Sequence, residues 1–352
     1  TTPPGGITGK LHYVGNGEWN DFNGIDPSGA VFLMDFNSGV NWQRAALLGA
    51  AAVIFVEPDN TTRIDSEEKH LQVPLDFPRF WMKKTPARSL IEYLKNPGSI
   101  NIRATGRMTW QRLPAYNVFG KISGTHPILK DEVIVLESYY DSISSVPAVS
   151  PGANQATGVA VLLEIAQYFA AHPPARTIYF LATSGHFMAL SGVNDFSYRH
   201  ARTSTHFKDN IEDPLNVKLF AGIDLSSARD QLGVIYSGIF FAGNSFAKQR
   251  FFTPFGRTFM DYASELVRRG SFPLGALVNV ISPSQGHRSE GYFPAGNIAL
   301  DAELVFWMGV PALSFATVFD SREYVDTPID NMDKVNIKNI YNQASLLTEL
   351  FG

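Results

Sequence analysis

The sequence predicts an α/β protein in two parts. These are a small α/β domain over residues 1–112 and a larger three-layer α/β/α domain, with a mixed, mainly parallel sheet, over residues 113–352. From residue 116 onward, apolar segments typical of buried strands alternate with helical segments, which is the pattern of a mostly parallel sheet covered on both faces. The earlier part has short strand-like segments separated by turns. With 352 residues, 45% of them hydrophobic, the chain is long enough for two cores.

Strand and helix signals follow one another in the first part. Apolar, strand-like segments occupy residues 10–14, 30–34, 51–56 and 99–103. Apolar spacing typical of helices occurs over residues 41–49 and 86–95, and Gly49 is a helix-stop signal. The pattern changes near Gln111-Arg-Leu-Pro114, where we place the domain boundary.

The second part alternates more regularly. Strands are predicted over residues 117–120, 133–136, 177–182, 218–223 and 310–315. A helix is predicted over residues 156–171, with Pro173 and Pro174 as its stop. Its apolar side is expected to contain Val159, Leu162, Leu163, Ala166 and Phe169. Because ligands of such sheets bind beyond the carboxyl ends of the strands, we expect the functional residues there.

Composition excludes several kinds of site. The chain has no cysteine, so any metal must be held by histidine, aspartate or glutamate. The formal net charge is −4 and there is no basic run, which argues against a nucleic-acid partner. No apolar stretch reaches the roughly 20 residues of a membrane-spanning helix. The lack of thiols favours a periplasmic or extracellular location, and the start at Thr1 suggests a processed chain or the ectodomain of an anchored protein.

Five segments resemble the M28 family of zinc aminopeptidases and carboxypeptidases, and they occur in the family's order. They are residues 135–142, 150–154, 157–164, 190–192 and 309–313. Each is weak alone, but the five together are specific. Two further segments, residues 17–24 and 43–54, are similar to the protease-associated (PA) domain. The resemblance implies a zinc-exopeptidase-like fold for the larger domain and a PA-like fold for the smaller one.

Most of the zinc ligands that the resemblance implies are replaced. In that family two zinc ions share a bridging aspartate, and a glutamate acts as general base. Here Tyr139 stands at the first histidine position and Gln155 at the bridging aspartate. The Glu-Glu pair that supplies base and ligand becomes His186-Phe187. A neutral amide bridges two dications poorly, and phenylalanine cannot ligate, so a two-zinc site is disfavoured.

Three carboxylates remain as candidate metal ligands. The resemblance implies that Asp224 is retained, that Asp326 replaces the last histidine, and that Asp141 once oriented the lost histidine. Asp224 and Asp326 are interpreted either as a residual site for a single hard cation or, more simply, as solvated loop carboxylates. For Asp141 the alternative is a turn or capping residue. His186, at the general-base position, is interpreted as catalytic, as a metal ligand, or as a hydrogen-bonded structural residue.

These observations favour an M28 peptidase homologue that is catalytically inactive and binds no cofactor. Such a homologue either recognises a protein or peptide, through its former active-site cleft or its PA-like domain, or serves as a scaffold. The alternative is an active metallopeptidase with zinc, or a single metal, held by Asp141, His186, Asp224 and Asp326. The phenylalanine-rich stretch over residues 236–259 is expected to be core or a lid, with an exposed aromatic patch for a partner as the alternative. His287 is a further candidate pocket histidine.

Overall fold

The computed structural model describes residues 2–69, 75–95, 100–109, 111–201, 214–235, 246–270, 272–273, 275–279 and 299–352, with the backbone alone for residues 246–253, 255, 256 and 279. His287 and the side chains of most of the phenylalanine-rich stretch lie outside the described residues, so their interpretation stays a prediction. The chain forms two compact units. The first contains Thr1–Leu113, Ile143–Pro151 and Asp326–Ile329, and the second contains Pro114–Ser142, Gly152–Val325 and Asp330–Gly352.

The first unit contains a five-stranded sheet. Its strands are β1 (Ile7–Tyr13), β2 (Val31–Asp35), β3 (Ala52–Val56), β4 (Arg79–Met82) and β5 (Ile100–Ala104). Its helices are α1 (Trp42–Leu47), α2 (Arg63–Glu67) and α3 (Lys84–Leu94). The strand order is β4-β3-β2-β1-β5, and only β5 runs antiparallel to its neighbour. Whether this unit is a PA domain stays a prediction.

Both faces of this first sheet are buried. Along β2, Phe32 and Met34 pack with Trp42 on one face, whereas Val31 and Leu33 pack on the other. The first four residues of β2 are all apolar and buried, which is typical of a parallel sheet covered on both sides. The predicted stop of the first helix is also visible, because Gly49 adopts a left-handed φ of 88° just after α1.

The second unit contains a seven-stranded sheet. Its strands are β6 (Val118–Ile122), β7 (Val133–Tyr139), β8 (Thr177–Thr183), β9 (Val217–Asp224), β10 (Leu232–Ile235), β11 (Leu277–Asn279) and β12 (Ala312–Thr317). The order is β11-β10-β12-β9-β7-β8-β6. The pairs β7–β8, β7–β9, β9–β12 and β10–β11 are parallel, whereas β6–β8 and β10–β12 are antiparallel.

Helices cover both faces of the larger sheet. They are α4 (Thr157–Ala171), α5 (Ser191–Phe196), α6 (Phe246–Arg269), α7 (Asp301–Trp307) and α8 (Ile337–Phe351). One core joins residues of α4, α6 and α8 to the sheet, including Leu162, Met260 and Leu347. The other joins α5 and α7 to the opposite face, including Val193 and Phe306. The predicted three-layer, mainly parallel α/β/α architecture is therefore confirmed.

The buried side of α4 differs from the predicted side, because Val161 and Ile165 are buried and Leu163 is exposed. Leu162 is only 2% exposed, whereas Leu163 is 66% exposed, so its predicted burial is wrong. The buried stripe follows Val161, Ile165 and Phe169 at intervals of four, and Leu163 points about 100° away from Leu162 around the helix. A run of adjacent apolar residues does not by itself define which of them faces the core.

The start of α4 lies directly against the ends of two strands. A Cβ atom added at Gly158 would lie 2.5 Å from Ser138 Oγ on β7 and 2.6 Å from the Ile223 carbonyl oxygen on β9. Only glycine permits so close an approach between helix and sheet. The residues just before α4 are therefore held at the carboxyl ends of β7 and β9. None of the described helices combines the length and the apolar character that a membrane crossing requires.

Candidate functional site

The parallel strands of the larger sheet end together at one edge. Tyr139 at the end of β7 pairs in register with Thr183 at the end of β8, and Asp224 at the end of β9 pairs with Ala316 on β12. We call this region the carboxyl edge. The side chains gathered there are those of Glu137, Tyr139, Asp141, His186, Phe187, Asp224, Asp301 and Arg322. This is the place at which parallel sheets usually bind ligands.

Aromatic rings fill part of the carboxyl edge. The rings of Tyr139 and His186 stack with centroids 4.0 Å apart and an interplanar angle of 23°. Phe187 packs edge-on against both, with centroid distances of 5.8 Å and 4.9 Å. Tyr139 is 5% exposed. The residues at the implied first-histidine and glutamate positions therefore contact each other as an aromatic cluster.

His186 forms a buried pair with an aspartate that sequence reasoning missed. Its Nδ1 atom lies 2.5 Å from Oδ2 of Asp301, the first residue of α7, and both side chains are almost fully buried. Burial by itself lowers the pKa of His186, but the hydrogen bond and charge of Asp301, together with Asp224 and Asp141, raise that pKa above its ordinary value. The charged imidazolium is thus favoured, and a protonated ring cannot ligate a metal.

Asp224, which the resemblance implies to be a retained ligand position, is bound by an arginine. Arg322 Nη1 donates to Asp224 Oδ1 at 2.7 Å, and Nη2 donates to the Asp224 carbonyl oxygen at 2.9 Å. Arg322 is 3% exposed and Asp224 is 5% exposed. The Tyr139 hydroxyl lies 3.4 Å from the same carboxylate oxygen. Because a guanidinium stays protonated in proteins, Asp224 already has a positive partner.

Glu137 lies two residues before Tyr139 on β7 and is 1% exposed. Thr183 Oγ1 donates to its Oε1 at 2.5 Å. Burial, followed by the negative charges of Asp301, Asp224 and Asp141, raises the pKa of Glu137 well above its ordinary 4.5, although the Thr183 hydrogen bond opposes this. Burial therefore favours a neutral, protonated Glu137 beside the charged groups of the carboxyl edge.

Glu137→Gln is expected to stabilise the protein increasingly as the pH rises. The folded chain keeps the Glu137 proton above pH 4.5 and the unfolded chain releases it, so wild-type stability falls as the pH rises toward the folded pKa. Glutamine is neutral throughout. Urea unfolding at roughly pH 4, 6 and 8 measures this, with Glu164→Gln on the exposed side of α4 as the control. A difference between Glu137→Gln and wild type that does not change with pH contradicts the expectation.

Gln155, at the implied bridging position, is buried in the turn before α4. Its neighbour Asn154 holds this turn in place. Asn154 Nδ2 donates to Asp330 Oδ1 at 2.7 Å, and Asn154 Oδ1 accepts from Ser227 Oγ at 2.6 Å. The loop is thus held by neutral side chains and one aspartate that lies before α8.

The other two predicted carboxylates have different surroundings. Asp141 Oδ1 accepts the backbone N–H of His186 at 3.3 Å, and both interpretations of Asp141 stay predictions. Asp326 belongs to the first compact unit, where its carboxylate lies 3.4 Å from Arg63 Nε and its carbonyl oxygen accepts from Ser66 Oγ. A residual cation site shared by Asp224 and Asp326 therefore stays a hypothesis.

The donors at the carboxyl edge do not fit the two-zinc site that the resemblance implies. Within the described residues, no three histidine, aspartate or glutamate side chains form a group that could hold a metal ion. Asp224 is paired with Arg322, and His186 is paired through Nδ1 with Asp301. A zinc pair needs several donors and negative charge to offset +4, and here two cationic side chains already provide positive charge.

Sequence reasoning missed Glu137, Asp301 and Arg322. Glu137 is an acidic residue within a segment that otherwise reads as a buried strand, which is a usable signal because unpaired buried carboxylates are rare. Asp301 and Arg322 lie outside the segments that resemble M28. Only the fold brings each one to its partner. Arg322 lies 98 residues after Asp224, and Asp301 lies 115 residues after His186.

Comparison with known proteins gives a similarity to the same family over part of the chain, and to the same fold. Residues 117–221 match Peptidase family M28. A "Probable zinc metalloprotease" of Pyricularia oryzae is 38% identical over 106 residues, which are 27% of this chain and 20% of that protein. The match thus spans about a fifth of the length of that relative.

Two solved structures resemble the whole fold. The Peptidase M28 precursor from Shewanella amazonensis SB2B matches with a TM-score of 0.50 and 15% identity, covering 99% of this chain and 74% of that one. Nicastrin, a γ-secretase component, matches with a TM-score of 0.61 and 10% identity, covering 99% and 70%. Residues 117–221 therefore carry the sequence of Peptidase family M28, within a mixed, mainly parallel α/β fold that resembles an M28 peptidase precursor and nicastrin.

Proposed function

We propose that this chain is an M28 peptidase homologue that does not hydrolyse peptides and serves in protein or peptide recognition or as a scaffold. The observation that carries the proposal is the buried Arg322–Asp224 pair. The one acidic ligand position that is retained is bound through its side chain and its main chain by a permanent cation. A zinc ion at Asp224 would have to displace that cation or lie beside it in a buried pocket, against the repulsion between the two positive charges.

The neighbouring residues support the same proposal. The aromatic cluster of Tyr139, His186 and Phe187 stands where metal ligands and the general base are expected. A general base must accept a proton, and the surroundings of His186 favour its protonated form. Two carboxylates of the carboxyl edge, Asp224 and Asp301, are thus paired with side chains of the same chain.

Recognition is supported by a cavity beside the carboxyl edge. It has a volume of about 440 Å³ and is lined by aromatic and polar side chains, including Tyr116, Asn117, Phe119, Ser184 and His200. Apolar cavities with a few polar groups are typical of binding sites. Nicastrin, which resembles this chain in fold, is a γ-secretase component, and the analogy extends to the fold alone. We therefore infer that a protein or peptide partner, rather than a substrate to be cleaved, contacts this part of the chain.

The alternative function is that of a metal-dependent aminopeptidase in which an altered set of ligands holds a single metal ion. Two buried carboxylate oxygens, Asp224 Oδ2 and Asp301 Oδ1, have no hydrogen-bond partner among the residues that the structure describes. Such oxygens are potential ligands for a cation. The name of the Pyricularia oryzae relative also favours zinc for that protein.

Metal content and turnover separate the two functions. We expect purified protein that has been incubated with zinc and dialysed to contain well under one zinc per chain, because Asp224 is already paired. The same sample is expected to release nothing from a panel of aminoacyl and dipeptide substrates. Elemental analysis and a chromogenic assay measure these quantities.

The contrary outcome is equally specific. One or more zinc ions per chain, with turnover that is lost in Asp224→Ala, would establish the peptidase and reject the proposal. Asp230→Ala is a suitable control, because Asp230 lies outside the carboxyl edge and accepts a hydrogen bond from Asn342. Recovery of intact peptides that were retained by the immobilised protein would support recognition without cleavage.

A further inference from the structure

We propose that Arg322 is the resident cation of the carboxyl edge, so that the pocket around Asp224 is a guanidinium-binding site that the chain fills with its own side chain. This inference rests on the proposed function, because a zinc ion held by Asp224 would compete with the guanidinium for the charge of the same carboxylate. The inference goes beyond the proposed function by naming the chemical class of ligand that the pocket binds, which is a guanidinium. The pocket binds a planar, two-pronged donor rather than a spherical metal ion.

The contacts have the shape of a fork. The two terminal nitrogens of Arg322 donate to two different oxygens of the same residue, the Asp224 carboxylate at 2.7 Å and the Asp224 carbonyl at 2.9 Å. A guanidinium presents such donors in a fixed plane and is more weakly hydrated than an ammonium group, so it is the cation best suited to a buried pocket of this form. A lysine or a metal ion lacks that planar arrangement.

The loop that delivers Arg322 is held in an unusual backbone conformation. Arg322 has a φ of 51° and Phe319 a φ of 57°, both in the left-handed region that residues other than glycine rarely adopt. Such conformations persist where the surrounding structure imposes them. The loop that follows β12 is therefore shaped so that its arginine enters the carboxyl edge.

Asp320 fixes this loop to the segment that follows β9. Its Oδ1 accepts the backbone N–H of Arg322 at 2.8 Å, and its Oδ2 accepts from Ser226 Oγ at 2.7 Å and from the Ala228 N–H at 3.1 Å. Asp224 and Ser226 are only two residues apart. The two loops are thus joined twice, once through Asp320 and once through the guanidinium.

The charge that Arg322 balances acts on several groups. Asp224 contributes to the raised pKa values of Glu137, His186 and Asp301, although it is not the largest cause in any of them. The negative charge of Asp224 therefore acts on several titratable groups of the carboxyl edge. Removing Arg322 leaves that charge buried without its cation, which is among the more destabilising changes in a folded protein.

Chemical rescue tests the proposal. Arg322→Ala is expected to lower the Tm by at least about 6 °C. Guanidinium chloride at about 20 mM, far below denaturing concentrations, is expected to restore at least roughly half of that loss by occupying the vacated pocket. Sodium chloride at the same ionic strength and zinc chloride are expected to restore much less. Differential scanning calorimetry measures all four conditions.

Three matched variants complete the experiment. Arg176→Ala removes a half-exposed arginine that pairs with Glu132 at 2.7 Å, and it is expected to show a small Tm loss with no guanidinium rescue. Arg322→Lys keeps the charge without the fork and is expected to stay below wild type. The Asp224→Asn, Arg322→Met double variant removes both charges and is expected to be more stable than Arg322→Ala. The double variant therefore still tests the proposal if Arg322→Ala does not fold.

The outcomes that overturn the proposal are distinct from those that reject the proposed function. An unchanged Tm in Arg322→Ala, equal effects of guanidinium and sodium, or a double variant no more stable than the single one would each exclude a resident guanidinium. Stronger rescue by zinc chloride than by guanidinium would show that the pocket prefers a metal. Zinc binding and peptide turnover by the wild-type protein reject the proposed function instead.

Discussion

Asp301→Ala is expected to lower the free energy of unfolding by roughly 3–5 kcal/mol, because it leaves the buried His186 without its charged partner. The effect should depend on pH. The pKa of His186 is raised in the folded state, so the stability that its protonation contributes is fully present below its ordinary 6.5 and is lost as the pH rises through the folded value. Urea unfolding of wild type and variant at roughly pH 6 and 9 measures both quantities.

Glu132→Ala is the matched control for this prediction. Glu132 pairs with Arg176 at 2.7 Å, but both side chains are partly exposed, and pairs of this kind contribute about 0–1 kcal/mol. A loss in Asp301→Ala no larger than that of Glu132→Ala would contradict the buried ion pair. An equal loss at the two pH values would contradict its dependence on protonated His186.

Leu162→Ala is expected to cost roughly 2–5 kcal/mol, and Leu163→Ala is expected to stay within about 0.5 kcal/mol of wild type. The two leucines are adjacent on α4, so helix propensity affects both equally. Leu162 is 2% exposed in the core between α4 and the sheet, whereas Leu163 is 66% exposed. Chemical denaturation measures both. Similar losses in the two variants would mean that the buried side of α4 is wrongly assigned.

Regular elements of the larger domain were predictable because their periodicity is local. The strand signal at residues 133–136 and the helix signal at 156–171 correspond to β7 and α4, with ends that differ by up to three residues. β10 and β11 have only four and three residues, too few for a period to be recognised. α8 was missed despite a usable signal, since Asn336 caps it by accepting the Asn339 N–H.

The site was less predictable than the fold. The sequence indicates that functional residues lie at the strand ends, and Asp224 and His186 do lie there. The chemistry of the site depends on their partners. Arg322 lies in a loop 98 residues beyond Asp224, and Asp301 is the first residue of α7. No local pattern in a single sequence indicates which arginine will pair with which buried aspartate.

Two buried pairs offset the charges of two carboxylates at the carboxyl edge. Arg322 pairs with Asp224, and His186 pairs with Asp301, within a region that also contains Glu137, whose pKa is raised by burial. Carboxylates that would repel one another are thus accommodated by cationic side chains of the same chain. This arrangement agrees with the ligand replacements that the resemblance implies and with the proposed loss of hydrolysis.

The most direct test is an anomalous difference map, recorded at the zinc absorption edge, of a crystal soaked in zinc. We predict that the Arg322–Asp224 contact near 2.7 Å remains and that no zinc peak lies within bonding distance of Asp224. Two peaks about 3.5–4 Å apart at the carboxyl edge, with Arg322 displaced, would contradict the account.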